Sequence, residues 1–450
     1  MNRSTFGVSR RVVLGGATGG AALLAAACGA RATPGERSPV EGVTPGGKIT
    51  WSFWAVSKEQ ADAALARIKD FHTQQPGIQV EAFYTEWGVY REKITAMISA
   101  GNPPEVTQVD AYWMPWFVEK QLIQRLDPYI RGDRQFKLDA FLPGAFLEDH
   151  HVFKGTYYAV PNSAESPRVL FYNKQRFAEA GLTLPNTLEE QGRWTWEAYL
   201  DAATKLSKGT SPERYYGTRY YLGVTPEPHA WVTSNGGKTL SDDRKSFVGD
   251  MRETLEAWQF QADLIHRHRV APPPGESLGA GDPFISGRVA MFVSGIWAAA
   301  PLLTAQQSVG LQYGVAPLPK SPKGMRKTIV KPNASTIPAG VKGQPAATAW
   351  ELIKFIAGPV YQKGQIDTGI ALTNLKELVD YFLKQSPVQN ARVFIDAYDK
   401  REVTAIPLIP KWQEYADIVN EEFGKVARGE ASTQIVVGAI KSRANELLKS

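Results

Sequence analysis

The chain carries one cysteine, Cys28, in 450 residues. It can form no internal disulfide and no thiolate metal cluster. Charge of one sign is also scarce: the formal net charge is +6, with no block of five or more Lys and Arg. That bias is too small to call for a nucleic-acid partner. The Gly-x-x-x-x-Gly-Lys-Ser/Thr loop that cradles nucleotide phosphates is missing, as is the Gly-x-Ser-x-Gly turn of α/β-hydrolases. The uncharged run Val12 to Ala27 is shorter than the roughly 20 residues a membrane helix needs. Histidines number six, and neither His150-His151 nor His266-Arg267-His268 has the i, i+4 spacing that puts two imidazoles on one helix face. Both are read as solvated surface, and no metal or cofactor is expected.

What is present is enough apolar residue, 43%, for a large core, and enough length for two to three domains. Tryptophan is plentiful at 12, and many fall where loops are expected. An indole left in water asks for a function.

The N-terminus has three zones. Arg3, Arg10 and Arg11 give a positive start, Val12 to Ala27 follow without charge, and Leu24-Ala25-Ala26-Ala27-Cys28 closes the segment. This is the layout of a secretory signal. Ser9-Arg10-Arg11 resembles a twin-arginine export signal, with Val13 where Phe is common, so an ordinary export route also stays open. Ala26-Ala27-Cys28-Gly29 resembles a bacterial lipoprotein box. Residues 1–28 are therefore expected to be a signal ending at a lipidated Cys28, which tethers a protein without a span. Removing three of the 51 basic residues leaves 48 against 45 acidic, or +3. Residues 29–47, rich in Gly, Pro, Ala and Thr, read as a flexible linker.

Beyond the linker, strands alternate with helices. Ile49, Trp51 and Phe53 share one face of a first strand, with Trp54 at its end. Leu65, Ile68 and Phe71 mark a helix, and Ile78 to Tyr84 a second strand. Val106 to Val109 is a third, ending on Asp110. Such alternation predicts a parallel sheet covered by helices, with ligands beyond the strands' carboxyl ends. Trp54, Trp87 and Asp110-Ala111-Tyr112-Trp113 lie at or after those ends. Tyr157 to Lys174 organises the rest. Tyr157 to Val160 and Val169 to Tyr172 read as two strands, and the polar stretch between them as a crossing between two lobes. Further on, Tyr215 to Val224 reads as a strand, Trp231 to Gly237 as a polar turn, and Trp412 to Val426 as an amphipathic helix.

Gly101-Asn102-Pro103-Pro104-Glu105-Val106, Phe171-Tyr172-Asn173-Lys174, Thr195-Trp196-Glu197, Phe284 to Trp297 and Tyr313 to Pro319 come in a telling order. Together they resemble family 1 of the extracellular solute-binding proteins, the maltose-binding-protein-like receptors of ABC importers. The resemblance implies an α/β, two-lobed periplasmic-binding-protein-like fold of type II, joined by hinge crossings with solute in the cleft. Residues 48–158 and 334–382 would form the N-terminal lobe, and 159–333 and 383–450 the C-terminal lobe. Tyr157 to Glu165 and Val330 to Thr336 would be the crossings. It further implies an exported monomer on the outer face of the cytoplasmic membrane or in the periplasm, with ABC permease subunits as partners.

A sugar offers a flat C–H face and a rim of hydroxyls, so its site wants aromatic rings with carboxylate, amide or guanidinium groups. Candidates for the face are Trp54, Trp87, Tyr112, Trp113, Trp231, Trp297 and Trp412; those for the rim are Asp110, Glu165, Asn235 and Arg168. Trp51, Trp196, Trp258 and Trp350 sit on apolar faces and read as core. Trp297 is read as a contact, and Trp412 is left open between contact and core. No local carboxylate pair singles out a glycosidase acid and base. A sugar receptor is the first expectation. An anchored carbohydrate-active enzyme, or a receptor for a polyol or glycerophosphodiester, is the alternative. The signal makes its own prediction. Mass spectrometry of the membrane fraction is expected to show an acylated N-terminal Cys28; a soluble product cut elsewhere, indifferent to Cys28→Ala, would refute it.

Overall fold

A computed structural model describes residues 40–55, 58–162, 166–210, 213–369 and 371–449. The signal, Cys28, most of the linker and Glu165 lie outside the described residues. The linker's tail does not: Val40 packs against the first core, and the Gly46 amide donates to Thr348 Oγ1 at 2.9 Å.

The first sheet has five strands. β1 (Gly47–Trp54) lies parallel to β2 (Ile78–Thr85) on one side and to β3 (Val106–Val109) on the other. The helices Lys58–Gln74 and Trp87–Ser99 connect them, so all three carboxyl ends face the same way. After the hairpin β4 (Val152–Phe153) and β5 (Thr156–Tyr157) comes β6 (Val160–Pro161), at the far edge of this sheet. Ile49, Trp51 and Phe53 are buried on one face and Ser52 and Trp54 on the other, as a strand covered on both sides requires.

The second sheet is antiparallel. β7 (Val169–Asn173) lies between β8 (Met291–Ser294) and β9 (Tyr313–Ala316). All five residues of β7 are buried, so it is a central strand. Then β10 (Thr328–Val330) leads to β11 (Ala334–Thr336), which returns to the first sheet and pairs antiparallel with both β3 and β6; β12 (Val403–Ala405) pairs with β10. The two expected crossings are thus neighbours. Thr336 Oγ1 donates to the Tyr158 carbonyl at 2.7 Å, and Ser335 Oγ to Asn162 Oδ1 at 2.6 Å. Two lobes built on separate sheets and joined by adjacent strands are the expected architecture.

Three local expectations are corrected. Residues 217–224 form no strand; Tyr215 and Tyr216 make only single bridges. Of the stretch read as a turn, the turn is confined to Asn235-Gly236, and Trp231 to Ser234 are instead the end of the helix Pro226–Ser234. Its signal is Thr225-Pro226, because proline's missing donor and fixed φ suit a first helical turn. His150 and His151 are also not solvated: both are fully buried, on the hairpin's approach, where His150 Nε2 lies 3.2 Å from the Ile406 carbonyl.

His229, on the misread helix, is buried in the second lobe, and its Nδ1 meets no partner. Burial pushes its pKa down to about 4. The unfolded chain takes up this proton near pH 6.5 and the folded chain does not, so stability is full above about 6.5 and falls as pH drops toward 4. His229→Leu is expected to reduce the slope of unfolding free energy with pH in that window by up to about 1.4 kcal/mol per unit. Denaturant titrations at pH 7 and 5 check this; an unchanged slope would contradict it.

Candidate solute-binding site

The carboxyl ends of β1, β2 and β3 present an aromatic wall. β1 ends on Trp54. β2 ends at Thr85, and the next helix opens on Trp87. β3 ends at Val109, where Asp110 caps the short 3-10 turn Ala111–Trp113 by accepting the Tyr112 amide at 2.9 Å. Pro115 then starts the helix Met114–Glu119. Trp113 becomes the hub of the wall. Trp54 meets it edge-on at 5.5 Å between centroids, and Trp87 stacks on it at 5.8 Å. Trp54 and Trp113 are buried, whereas Trp87 is 43% exposed. With Arg91, Trp116 and Gln413, Trp87 and Trp113 line a cavity of about 590 Å³.

Asp110 is the polar centre of the wall. Its second oxygen accepts from Trp87 Nε1 at 3.0 Å and from Lys331 Nζ at 2.6 Å. Lys331 lies in the return crossing between β10 and β11. The pair is well buried, with side-chain exposures of 2% for Asp110 and 14% for Lys331.

The second lobe contributes Trp297. β8 ends at Ser294, and Gly295 lets the indole fold back over the backbone: a Cβ there would meet the ring at 2.1 Å. The ring stays 40% exposed. Arg168 lies beneath it with Cζ 4.7 Å from the ring centroid, a cation–π contact. Its Nε donates to Glu227 Oε1 at 3.2 Å, and one terminal nitrogen to the Ser166 carbonyl at 3.1 Å. Ser166 Oγ in turn accepts the Ile296 amide at 2.7 Å, fixing the turn that carries Trp297.

The model of the bacterial extracellular solute-binding protein family matches residues 55–363. The chain belongs to that family. A binding protein of Brucella abortus is 25% identical over 394 residues, 85% of this chain and 88% of its own. The diacetylchitobiose-binding protein DasA of Streptomyces coelicolor is 25% identical over 414 residues, 90% of each. In structure, the ABC substrate-binding protein Lmo0181 of Listeria monocytogenes, solved with cycloalternan, aligns with a TM-score of 0.76 at 22% identity, covering 89% of this chain and 99% of that one. The two share a fold.

In this solute-binding protein, then, the structure brings Trp54, Trp87, Asp110 and Trp113 together on one lobe. Trp297 and Arg168 sit on the other. Trp412 opens the helix Trp412–Ala427, is 4% exposed, and stacks on Tyr112. Two expected contacts are corrected. Trp231 is buried among Trp196, Tyr199 and Phe260, because its helix turns that face into the core. Asn235 ends that helix and gives its amide to the Glu253 carbonyl and the Glu256 carboxylate. Sequence reasoning missed Lys331 and Glu227, the partners of Asp110 and Arg168. Neither has a local signal, since each partner is distant along the chain.

Asp110→Ala is expected to cost about 3–5 kcal/mol of stability, because it strands a buried ammonium. Asp110→Ala with Lys331→Met should recover most of that. A single-variant loss below about 1 kcal/mol in denaturant unfolding would show that the pair is not needed.

Proposed function

We propose that this protein captures a carbohydrate between its lobes and hands it to an ABC permease. The observation that carries this reading is one half-exposed indole on each lobe, Trp87 and Trp297, each held by a charged group that its own partner fixes. Flat, rigid faces with polar groups at their edge suit sugar rings. The relatives' ligands, diacetylchitobiose and cycloalternan, are carbohydrates too.

Catalysis is the weaker reading. A glycosidase needs one carboxyl to give a proton and another to take one or attack. Asp110 and Glu227 are each paired with a protein cation rather than with one another. The family acts outside the cytoplasm, and we propose that a lipid on Cys28 holds this monomer at the membrane. For the lobes we propose a first unit centred on β1–β3, β6 and β11 and a second on β7–β9.

A thermal-shift screen over mono-, di- and oligosaccharides, polyols and phosphodiesters tests the reading. A sugar is expected to stabilise the protein and to be recovered intact. Stacking on Trp297 would hide on the order of 100 Å², worth roughly 2.5 kcal/mol before ordering costs. Trp297→Ala is therefore expected to weaken calorimetric affinity about 10- to 70-fold. Its melting temperature should hardly move, because the ring is already half in water. Unchanged affinity would remove Trp297 from the site, and product release from a glycan would favour the enzyme.

A further inference from the structure

Tyr112 and Trp412 form the flattest ring pair across the lobes. Their centroids are 5.5 Å apart and their planes 10° from parallel. Tyr112 belongs to the turn after β3, and Trp412 to a helix of the second core. Each ring is held from behind. The Tyr112 amide is bonded to Asp110, and Lys331 Nζ lies 4.6 Å from the Tyr112 ring centroid. Trp412 rests against Tyr415 at 5.5 Å. Trp412 therefore has no free face.

Two cavities border the chain segments that carry the pair. The one of about 590 Å³ is lined by Trp113, Trp116 and Gln413. Another of about 730 Å³ is lined by Pro115, Val118 and Lys411. The lining residues alternate along the same two segments, so these segments form the partition, and Tyr112 and Trp412 belong to them without lining either cavity.

We propose that Tyr112 sets the length of solute the cleft accepts, by occupying the face of Trp412 that a further sugar ring would use. This rests on the sugar-receptor reading. The cleft on the Trp87 side then holds a short saccharide whose chain ends at the stack. Without the Tyr112 ring the partition opens, and a longer chain reaches Trp412.

The test is calorimetry of the full mature chain with two probe series, glucose to maltotetraose and N-acetylglucosamine to chitopentaose. The proteins are wild type, Tyr112→Phe and Tyr112→Ala. Wild type and Tyr112→Phe are expected to gain less than about threefold in affinity beyond two rings, since both keep a flat ring on Trp412. Tyr112→Ala is expected to gain about tenfold for the next ring, the scale of one stacking contact. If all three gain alike, or none gains, the partition is overturned while the receptor reading stands. If no sugar of either series binds any of them, the sugar reading loses its support and acrylamide quenching decides the stack. Trp412 emission is isolated by subtracting the matching Trp412→Phe variants. A rise in its quenching in Tyr112→Ala supports the cover on Trp412; no rise overturns it. Melting temperatures confirm that each variant is folded.

Discussion

One carboxylate ties the cleft together. Asp110 accepts a backbone amide, an indole N–H and an ammonium, and these come from three different pieces of chain. The amide sets the turn after β3. The indole fixes how Trp87 stands in water. The ammonium belongs to the crossing that carries the chain back from the second sheet. Charge-assisted bonds of this kind are the strong ones, and burial makes an unpaired member costly. The aromatic wall and the hinge therefore share one electrostatic anchor.

Around that anchor the tryptophans divide their labour by how much of each ring is covered. Trp54 and Trp113 are walls: their faces are spent on one another and on Tyr90. Trp87 and Trp297 keep open faces because each is pinned at one edge, the first through its nitrogen and the second by its fold over Gly295. A pinned, half-wet ring has little rotamer freedom left to lose when a ligand stacks on it. Trp231 has the same side chain, yet three aromatic residues, Trp196, Tyr199 and Phe260, close around it.

Much of this was legible in the chain itself. Alternation marked β1 and β2, and the switch from period 2 to 3.6 marked the helices between them, because burial on two faces leaves a strong pattern. The crossing at Val160 was legible because Pro161 breaks the local pattern. The misreadings share a cause. Trp231 to Gly237 looked like a turn throughout, although Pro226, at home in a first helical turn, starts a helix that runs to Ser234. His150 and His151 looked like surface because polar type argues for water, yet the hairpin folds them inward. The partners of Asp110 and Arg168 were not legible, since pairs separated by 221 and 59 residues leave no local periodicity.

The central claim is that solute binds between two lobes that move about the paired crossings. Small-angle X-ray scattering of the mature protein, with and without the sugar that gives the largest thermal shift, tests it most directly. A ligand that touches both lobes favours the closed state, so the radius of gyration is predicted to fall at saturation. Full binding with an unchanged radius would contradict a cleft that closes on its solute.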